Sequence, residues 1–144
     1  VHQCRVKGQI PELWEDLIPT KRVFDFCRSS LGQRMARALK AGRLFRERPF
    51  VMGIPVKEVY PELEEGEHIL IQGVIDVFFE EEDGVVLVDY KTDRVPRGKA
   101  GETLLIQRYK TQMDYYQRAI EQISGKKVKD RILYSVIMDR EIHC

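Results

Sequence analysis

The sequence predicts an α/β (α+β) domain in which a mixed central sheet is flanked by helices. Two observations carry this prediction. Apolar residues recur at helical spacing up to residue 42, and from residue 43 the pattern changes to a hairpin followed by strand–helix–strand. With 144 residues, 43% of them hydrophobic and 33% charged, the chain suits one globular domain and not a disordered one. We therefore expect a single domain over 1–144, with a helical part at 1–42 and a core at 43–144.

The helical part should contain three segments. Residues 10–18 form a short amphipathic piece, and Thr20 is the expected N-cap of the second helix. Ser30 can cap the third helix, which ends at Gly42.

The remainder of the chain should begin with strands. Residues 44–52 read as an edge or bulged strand because they contain Pro49, and 56–59 continue the sheet. Residues 68–80 form the longest strand, and a hairpin turn at 81–84 leads to a return strand at 85–91. Five apolar residues of the longest strand should share one face because they alternate with their neighbours: Ile69, Ile71, Ile75, Val77 and Phe79.

A basic loop, a helix and a final strand should complete the domain. The loop covers 92–101, the helix 102–123 and the strand 131–138. No apolar run approaches the roughly 20 residues that a membrane helix needs, so we expect no membrane association.

Composition also bears on the compartment. The three cysteines, Cys4, Cys27 and Cys144, are widely spaced without a C-x-x-C, which excludes a zinc ribbon built from this segment and suits the reducing cytoplasm. The chain opens at Val1 and not at Met, and we expect it to be a fragment of a longer polypeptide.

Charge is unevenly distributed although the net charge is only +1. Residues 1–48 carry a net charge of +6, residues 49–93 carry −10 and residues 94–144 carry +5. A solvated surface explains this pattern, but so does an enzyme that holds a cation with carboxylates and a polyanion with the flanking positive charge.

Charged residues interrupt both strands of the hairpin. Asp76 lies within an apolar run, Asp89 follows another, and Lys91 comes two residues later. Any even-length turn places these three side chains on one face, whereas an odd loop or a bulge would not. Opposed carboxylates repel, and a bound Mg²⁺ would convert them into a site. An exposed salt-bridge ladder is the plain structural alternative.

The loop after the second strand contains three cations without an intervening acid, Arg94, Arg97 and Lys99. Because it follows the acidic hairpin directly, we expect it at the rim of the site, where it would bind the phosphate backbone of DNA. Solvated loop charge remains the alternative.

Four ordered motifs occur in the chain. They are R-E-R-P-F from residue 46, Q-G-V-I-D from residue 72, D-Y-K-T-D from residue 89 and Y-K-T-Q-M-D-Y-Y from residue 109. Together they resemble the RecB-like nucleases of the PD-(D/E)XK superfamily, and within them the C-terminal nuclease domains of A subunits of AddAB-type helicase–nucleases. The resemblance covers roughly residues 20–140. It implies a restriction-endonuclease-like fold and a single nuclease domain.

The resemblance also implies roles for individual residues. Asp76 and Asp89 match the metal-binding carboxylates, Lys91 matches the catalytic lysine, and the carbonyl of Tyr90 stands where a backbone ligand of the metal is expected. The implied cofactor is Mg²⁺ and the implied partners are DNA and a second, B, subunit.

Three further residues match supporting positions. Gln112 and Tyr116 match the helix motif of the family, and their i, i+4 spacing places them on one helical face. A half-buried core aromatic is an equally good interpretation of Tyr116. Glu47 matches the glutamate of the R-E-x-P-F motif and is expected to be an auxiliary acidic group.

Some family elements are missing. The upstream G-x-x-x-H motif has only His2 as a candidate, without the glycine, and we expect the true histidine to lie upstream of this chain. His68 and His143 are expected to be surface residues. The chain contains neither a P-loop for ATP nor the cysteine set of an iron–sulfur cluster, and the latter fits an A-type chain of the heterodimer.

The leading hypothesis is a magnesium-dependent DNA exonuclease module of a helicase–nuclease that acts in double-strand-break repair and recombination. One alternative is a catalytically silent DNA-binding or assembly domain. The other is a stand-alone RecB-like exonuclease.

Overall fold

The computed structural model describes residues 20–63 and 66–144, and these divide into two compact units between Gly42 and Arg43. The first unit contains helices α1 (Thr20–Arg28) and α2 (Ser30–Lys40). The second contains one long helix and five strands: β1 (Leu44–Pro55), β2 (His68–Glu81), β3 (Gly84–Lys91), α3 (Lys99–Ser124), β4 (Val128–Ser135) and β5 (Arg140–His143). The helix predicted at 10–18 lies outside the described residues.

The N-cap of α2 differs from the predicted one. Ser29, and not Ser30, caps the helix: its backbone is extended, and its hydroxyl accepts a hydrogen bond from the Gly32 N–H at 3.1 Å. Ser30 is therefore the first residue of the helix itself.

The five strands form one mixed sheet in the order β1–β2–β3–β4–β5. All neighbouring pairs are antiparallel except β3 and β4, which are parallel and are connected through α3. The predicted α+β class with a mixed central sheet is confirmed, and β1 lies at the sheet edge, as Pro49 indicated.

The β2–β3 turn has an even length, as the expected arrangement of Asp76, Asp89 and Lys91 on one face requires. Glu81 pairs with Gly84, so Glu82 and Asp83 form a two-residue turn, and the register continues to the pair Val77–Val88.

Several element boundaries differ from the prediction. Val56–Glu58 is a 3₁₀ turn and not a continuation of the sheet. Helix α3 begins three residues earlier than predicted, after Gly98 in a left-handed conformation with φ of 82°. The predicted strand at 131–138 ends at Ser135, and a turn containing Asp139 leads into β5, which the sequence pattern did not predict.

The core lies between α3 and one face of the sheet. Helix α3 contributes the buried side chains of Leu105, Met113, Tyr116, Ala119 and Ile120, which recur at helical spacing. The helix ends at Gly125, whose φ of 68° is favourable for glycine, and the Gly125 N–H bonds to the Glu121 carbonyl. No helix among the described residues is long and apolar enough to span a membrane.

The prediction that five alternating residues of β2 share one face is wrong. Ile69, Ile71 and Ile75 pack in or against the core under α3, but so does Phe78. Val77 and Phe79 are buried outside that cluster, so the alternation of side chains shifts by one residue at Asp76.

Candidate active site

The end of β3 carries a buried ion pair. Asp89 is 2% exposed, and its Oδ2 lies 2.5 Å from Lys91 Nζ. The two groups are an ion pair without hydrogen-bond geometry, so Asp89 Oδ2 has no hydrogen-bond partner among the described residues. Burial raises the pKa of the Asp89 carboxyl; Lys91 opposes this shift and the neighbouring Asp76 adds to it.

Asp76 reaches the same place from β2. Its Oδ2 accepts a hydrogen bond of 3.0 Å from the backbone N–H of Tyr90, the residue between Asp89 and Lys91. Asp76 also interacts with the Asp89 carboxyl closely enough to raise its pKa. The structure thus brings Asp76, Asp89 and Lys91 together at the end of the hairpin.

Helix α3 approaches this cluster with three side chains at helical spacing. Lys91 Nζ donates to Gln112 Oε1 at 2.8 Å, and Gln112 Nε2 donates to Tyr116 Oη at 3.0 Å. Lys91 Nζ also lies 3.8 Å from the centroid of the Tyr109 ring, a cation–π distance. Asp89, Gln112 and Tyr109 therefore hold the ammonium group from three sides.

Tyr116 combines the two roles that the sequence left open. Its ring is 8% exposed and packs edge-on against Phe50, with centroids 5.6 Å apart, as a core aromatic does. Burial raises the pKa of its hydroxyl, and the Asp89 and Asp76 carboxylates add to the shift, so the hydroxyl faces the acidic site. Gly73 allows this packing, because a Cβ there would come within 3.0 Å of the Phe50 ring.

The sequence pattern did not indicate Tyr109 and Asp93 as residues of this cluster. Tyr109 donates from its hydroxyl to the Asp93 carboxylate, with 2.9 Å to each carboxylate oxygen, and Arg108 Nη1 lies 2.5 Å from Asp93 Oδ1. The signal was present, since Tyr109 lies three residues before Gln112 and seven before Tyr116, on the same helical face.

Tyr90 points its side chain away from this cluster. Its ring packs edge-on against Tyr134, with centroids 6.1 Å apart. Burial raises the pKa of its hydroxyl to about 12, with Asp76 adding to the shift. Only the backbone of Tyr90 therefore stands between the two residues of the ion pair.

The remaining predicted site residues are exposed. Glu47 is an exposed residue of β1 with φ of +49°. Arg94, Arg97 and Lys99 are exposed in the segment that joins Lys91 to the start of α3, and none forms an ion pair with another described residue. His68 and His143 are also exposed, as expected, and His2 lies outside the described residues.

The donor set fits a hard divalent cation. Among the described residues there is no cluster of three or more His, Cys, Asp or Glu side chains, but Mg²⁺ commonly binds through one or two carboxylates, with water and phosphate completing the shell. Asp89 supplies a buried oxygen without a hydrogen-bond partner, and Asp76 supplies a second hard ligand beside it. A divalent cation would relieve the repulsion between these two carboxylates.

Comparison with known proteins identifies the class. The family model of the PD-(D/E)XK nuclease superfamily matches residues 6–141, and the chain belongs to that superfamily.

Its relatives carry one particular name. The chain is similar to proteins named as the A subunit of an ATP-dependent helicase/nuclease. It is 44% identical to that of Clostridium novyi over 88% of this chain and 10% of the relative, and 47% identical to that of Thermoanaerobacter sp. strain X514 over 78% and 9%. The similarity to that of Lachnoclostridium phytofermentans is 39% over 99% of this chain and 13% of the relative. The chain thus spans about a tenth of the length of the curated relatives it matches.

Proposed function

We propose that the chain is the magnesium-dependent DNA exonuclease module of a helicase–nuclease that acts in double-strand-break repair and recombination. The observation that carries the proposal is the convergence of Asp76, Asp89 and Lys91, in which a buried carboxylate oxygen lacks a hydrogen-bond partner among the described residues. Membership of a nuclease superfamily and the name of the relatives agree with it.

In this proposal Asp76, Asp89 and the backbone carbonyl of Tyr90 hold the metal. Asp89 would bind through the Oδ2 atom that now faces Lys91, and Asp76 is already oriented by the Tyr90 N–H. A bound Mg²⁺ supplies an activated water and neutralises charge on the phosphodiester.

Lys91 acts on the reacting phosphate. Its ammonium is held by Asp89, by the amide oxygen of Gln112 and by the ring of Tyr109, so little conformational freedom is lost when DNA binds. From this position it orients the attacking water and stabilises the negative charge that develops on the phosphoryl oxygens. Gln112 and Tyr116 keep the lysine in place from the helix.

The basic loop binds the DNA backbone. Arg94, Arg97 and Lys99 are exposed and unpaired among the described residues, and they follow the lysine of the site directly in the chain. Their charge offsets the repulsion between the acidic site and phosphate.

The protein's setting is also part of the proposal. We place it in the cytoplasm and expect its partner to be a second, B, subunit, because the relatives are named as the A subunit of an ATP-dependent helicase/nuclease. No P-loop occurs in this chain, so ATP would bind to another part of the protein.

A silent DNA-binding domain is the less favoured function. Such a domain has no need of all three reactive side chains, whereas here they are present and lie together. A stand-alone exonuclease is disfavoured by the helicase/nuclease name of the relatives.

The decisive experiment is a nuclease assay of the full-length protein, with and without its partner subunit, that compares wild type with Lys91→Ala. We expect Mg²⁺-dependent degradation of linear DNA from its ends by wild type and a loss of at least about 100-fold in Lys91→Ala.

Lys127→Ala is the matched control. It removes the same charge from an 88% exposed side chain just after α3 and should leave cleavage unchanged. Wild-type protein that binds DNA but never cuts it would favour the silent domain. Cleavage of circular DNA without ends would show endonuclease activity and contradict a purely exonucleolytic module.

A further inference from the structure

Asp76 lies at an interrupted rung of the sheet. The β1–β2 register is the same on both sides, with Arg46 opposite Val77 and Arg48 opposite Ile75, but the pair between them, Glu47 and Asp76, does not form. The pairing of β2 with β3 ends at Val77 and Val88, so Asp76 and Asp89 do not form the next pair. Asp76 thus lacks ladder pairing on either side, and its carboxylate instead accepts from the Tyr90 N–H.

The alternation of side chains shifts at this rung in both strands. In β1, Phe50, Met52 and Ile54 face the core on one side of the rung, and Phe45 faces it on the other. The core-facing positions of β1 therefore change from even-numbered to odd-numbered residues. In β2 the same face carries Ile75 and then Phe78.

The shift allows apolar core and carboxylate to share a face. Without it, period-two alternation would place Asp76 and Ile75 on opposite faces. In an unbroken strand with Ile75 facing α3, Asp76 would therefore point away from Asp89. The interruption allows Ile75 to face the core and Asp76 to face Asp89.

Glu47 is where the backbone departs from strand geometry. Its φ of +49° lies in the left-handed region, and among the described residues only Asp139 is another non-glycine with positive φ. Its side chain is exposed and forms no ion pair or hydrogen bond with another described residue. Such a conformation is unfavourable for glutamate, and unfavourable conformations of this kind concentrate at functional sites.

We propose that Glu47 is a positioning residue that acts through its left-handed backbone, and not through its carboxylate, to turn Asp76 toward Asp89. This inference rests on the proposed function, because it assigns Asp76 to the metal. It also replaces the role of auxiliary acidic group that the sequence motif indicated for Glu47.

The test compares four substitutions in the full-length protein. Glu47→Gly and Glu47→Asn remove the carboxylate but accept positive φ, whereas Glu47→Ala accepts it poorly and Glu47→Val, which is β-branched, accepts it least. Mg²⁺ affinity is measured by titration calorimetry without nucleotide, with Asp89→Ala as the blank, and DNA cleavage and circular dichroism are measured in parallel.

A backbone role predicts rescue by residue type. Gly and Asn should bind Mg²⁺ within about threefold of wild type, Ala should be intermediate, and Val should lose about tenfold or more, as altered supporting residues around metals do. Equal loss in Gly, Asn and Val would show that the carboxylate matters, and an unaffected Val variant would show that the backbone does not; either result overturns the proposal.

Two complications are covered by the same series. If Glu47→Val does not fold, the Mg²⁺ affinity of Glu47→Ala is compared with that of Glu47→Gly and Glu47→Asn. Loss of the carboxylate alone would affect these three variants equally. If wild type and Asp89→Ala bind Mg²⁺ equally, the proposed metal site is wrong, and this result is distinct from failure of the Glu47 inference.

Discussion

Lys91 shows how single side chains define the chemistry of this site. It contacts the Asp89 carboxylate at 2.5 Å, the Gln112 amide at 2.8 Å and the Tyr109 ring at 3.8 Å. The first contact comes from its own strand, and the other two come from α3. The position of a reactive group is thus determined jointly by two elements.

Tyr109 offers a prediction at this scale. Tyr109→Leu should slow DNA cleavage at saturating DNA about fivefold, because a partly buried cation–π contact contributes about 1 kcal/mol. Tyr109→Phe keeps the ring and should retain most of the activity, although it loses the hydrogen bond to Asp93. The measurement is single-turnover cleavage at saturating Mg²⁺. Equal rates for the Phe and Leu variants would argue against a role for the ring.

Element-scale features connect this site to its surroundings. The loop between β3 and α3 is short, and Gly101 packs so closely on the Pro96 carbonyl that a Cβ would lie 1.9 Å from its oxygen. Any larger residue at 101 would displace the start of the helix, and this constraint ties the basic loop to the helix that carries Tyr109 and Gln112.

The basic loop gives a second prediction. Changing Arg94, Arg97 and Lys99 to Ala should weaken DNA binding at low salt and reduce the slope of log affinity against log salt by roughly 0.7–0.9 per lost phosphate contact. Cleavage at saturating DNA should fall much less than in Lys91→Ala. The measurement is fluorescence anisotropy across a salt series with several DNA sequences.

A triple variant of equal charge is its control. Lys126, Lys127 and Lys129 pair with Glu80, Glu121 and Glu81 respectively, so their change to Ala should leave the salt slope intact. If both triple variants reduce the slope equally, overall charge and not the loop governs binding.

The junction of α3 and β4 gives a prediction about pH. The Val128 N–H, followed by Gln117 and Lys127, lowers the pKa of Glu121 from its ordinary 4.5, because all three favour the ionised form. A lowered folded-state pKa contributes stability above the ordinary value, and this stability is lost as pH falls through the folded-state pKa.

Glu121→Gln should therefore lower the melting temperature at neutral pH, and the difference from wild type should shrink as the pH falls well below 4.5. Thermal denaturation followed by circular dichroism checks this. Glu82→Gln, in the exposed β2–β3 turn, is the control and should show no such trend. A difference that stays constant with pH would contradict the assignment to the Glu121 charge.

At the scale of the whole molecule, the proposed nuclease chemistry is confined to about a tenth of the length of the relatives. Asp89→Ala in the full-length protein should therefore abolish cleavage and leave intact any ATP-driven unwinding by the proposed helicase part. Removing one partner of a buried ion pair ordinarily costs about 3–5 kcal/mol. Because Lys91 would keep Gln112 and Tyr109 as partners and Asp76 would lose a like charge, the cost should be reduced and the domain should stay folded.

Three measurements check this prediction: cleavage, strand separation and chemical denaturation of the same variant. Loss of the folded state, or unimpaired cutting at saturating Mg²⁺, would contradict it.

The sequence alone determined the class of fold, the position of the hairpin turn within residues 81–84, and the family. Local signals sufficed, because period-two alternation, turn residues at 81–84 and short motifs depend only on neighbouring residues. The ends of elements were less well predicted. The N-cap of α2 is Ser29, one residue before the predicted Ser30. Strand β5 was not predicted, because a strand of four residues is too short to show a clear alternation.

The tertiary structure decided what lies around the lysine and which residues share a face. Tyr109 and Asp93 lie at the cluster because α3 packs on the sheet. The local sequence of a strand or of a helix does not determine which of their residues will be in contact. The shift in side-chain alternation at Glu47 and Asp76 could not be predicted either, because a period-two pattern assumes that the strand is paired without interruption. It is the pairing of strands, and not the order of residues, that determines where such a ladder breaks.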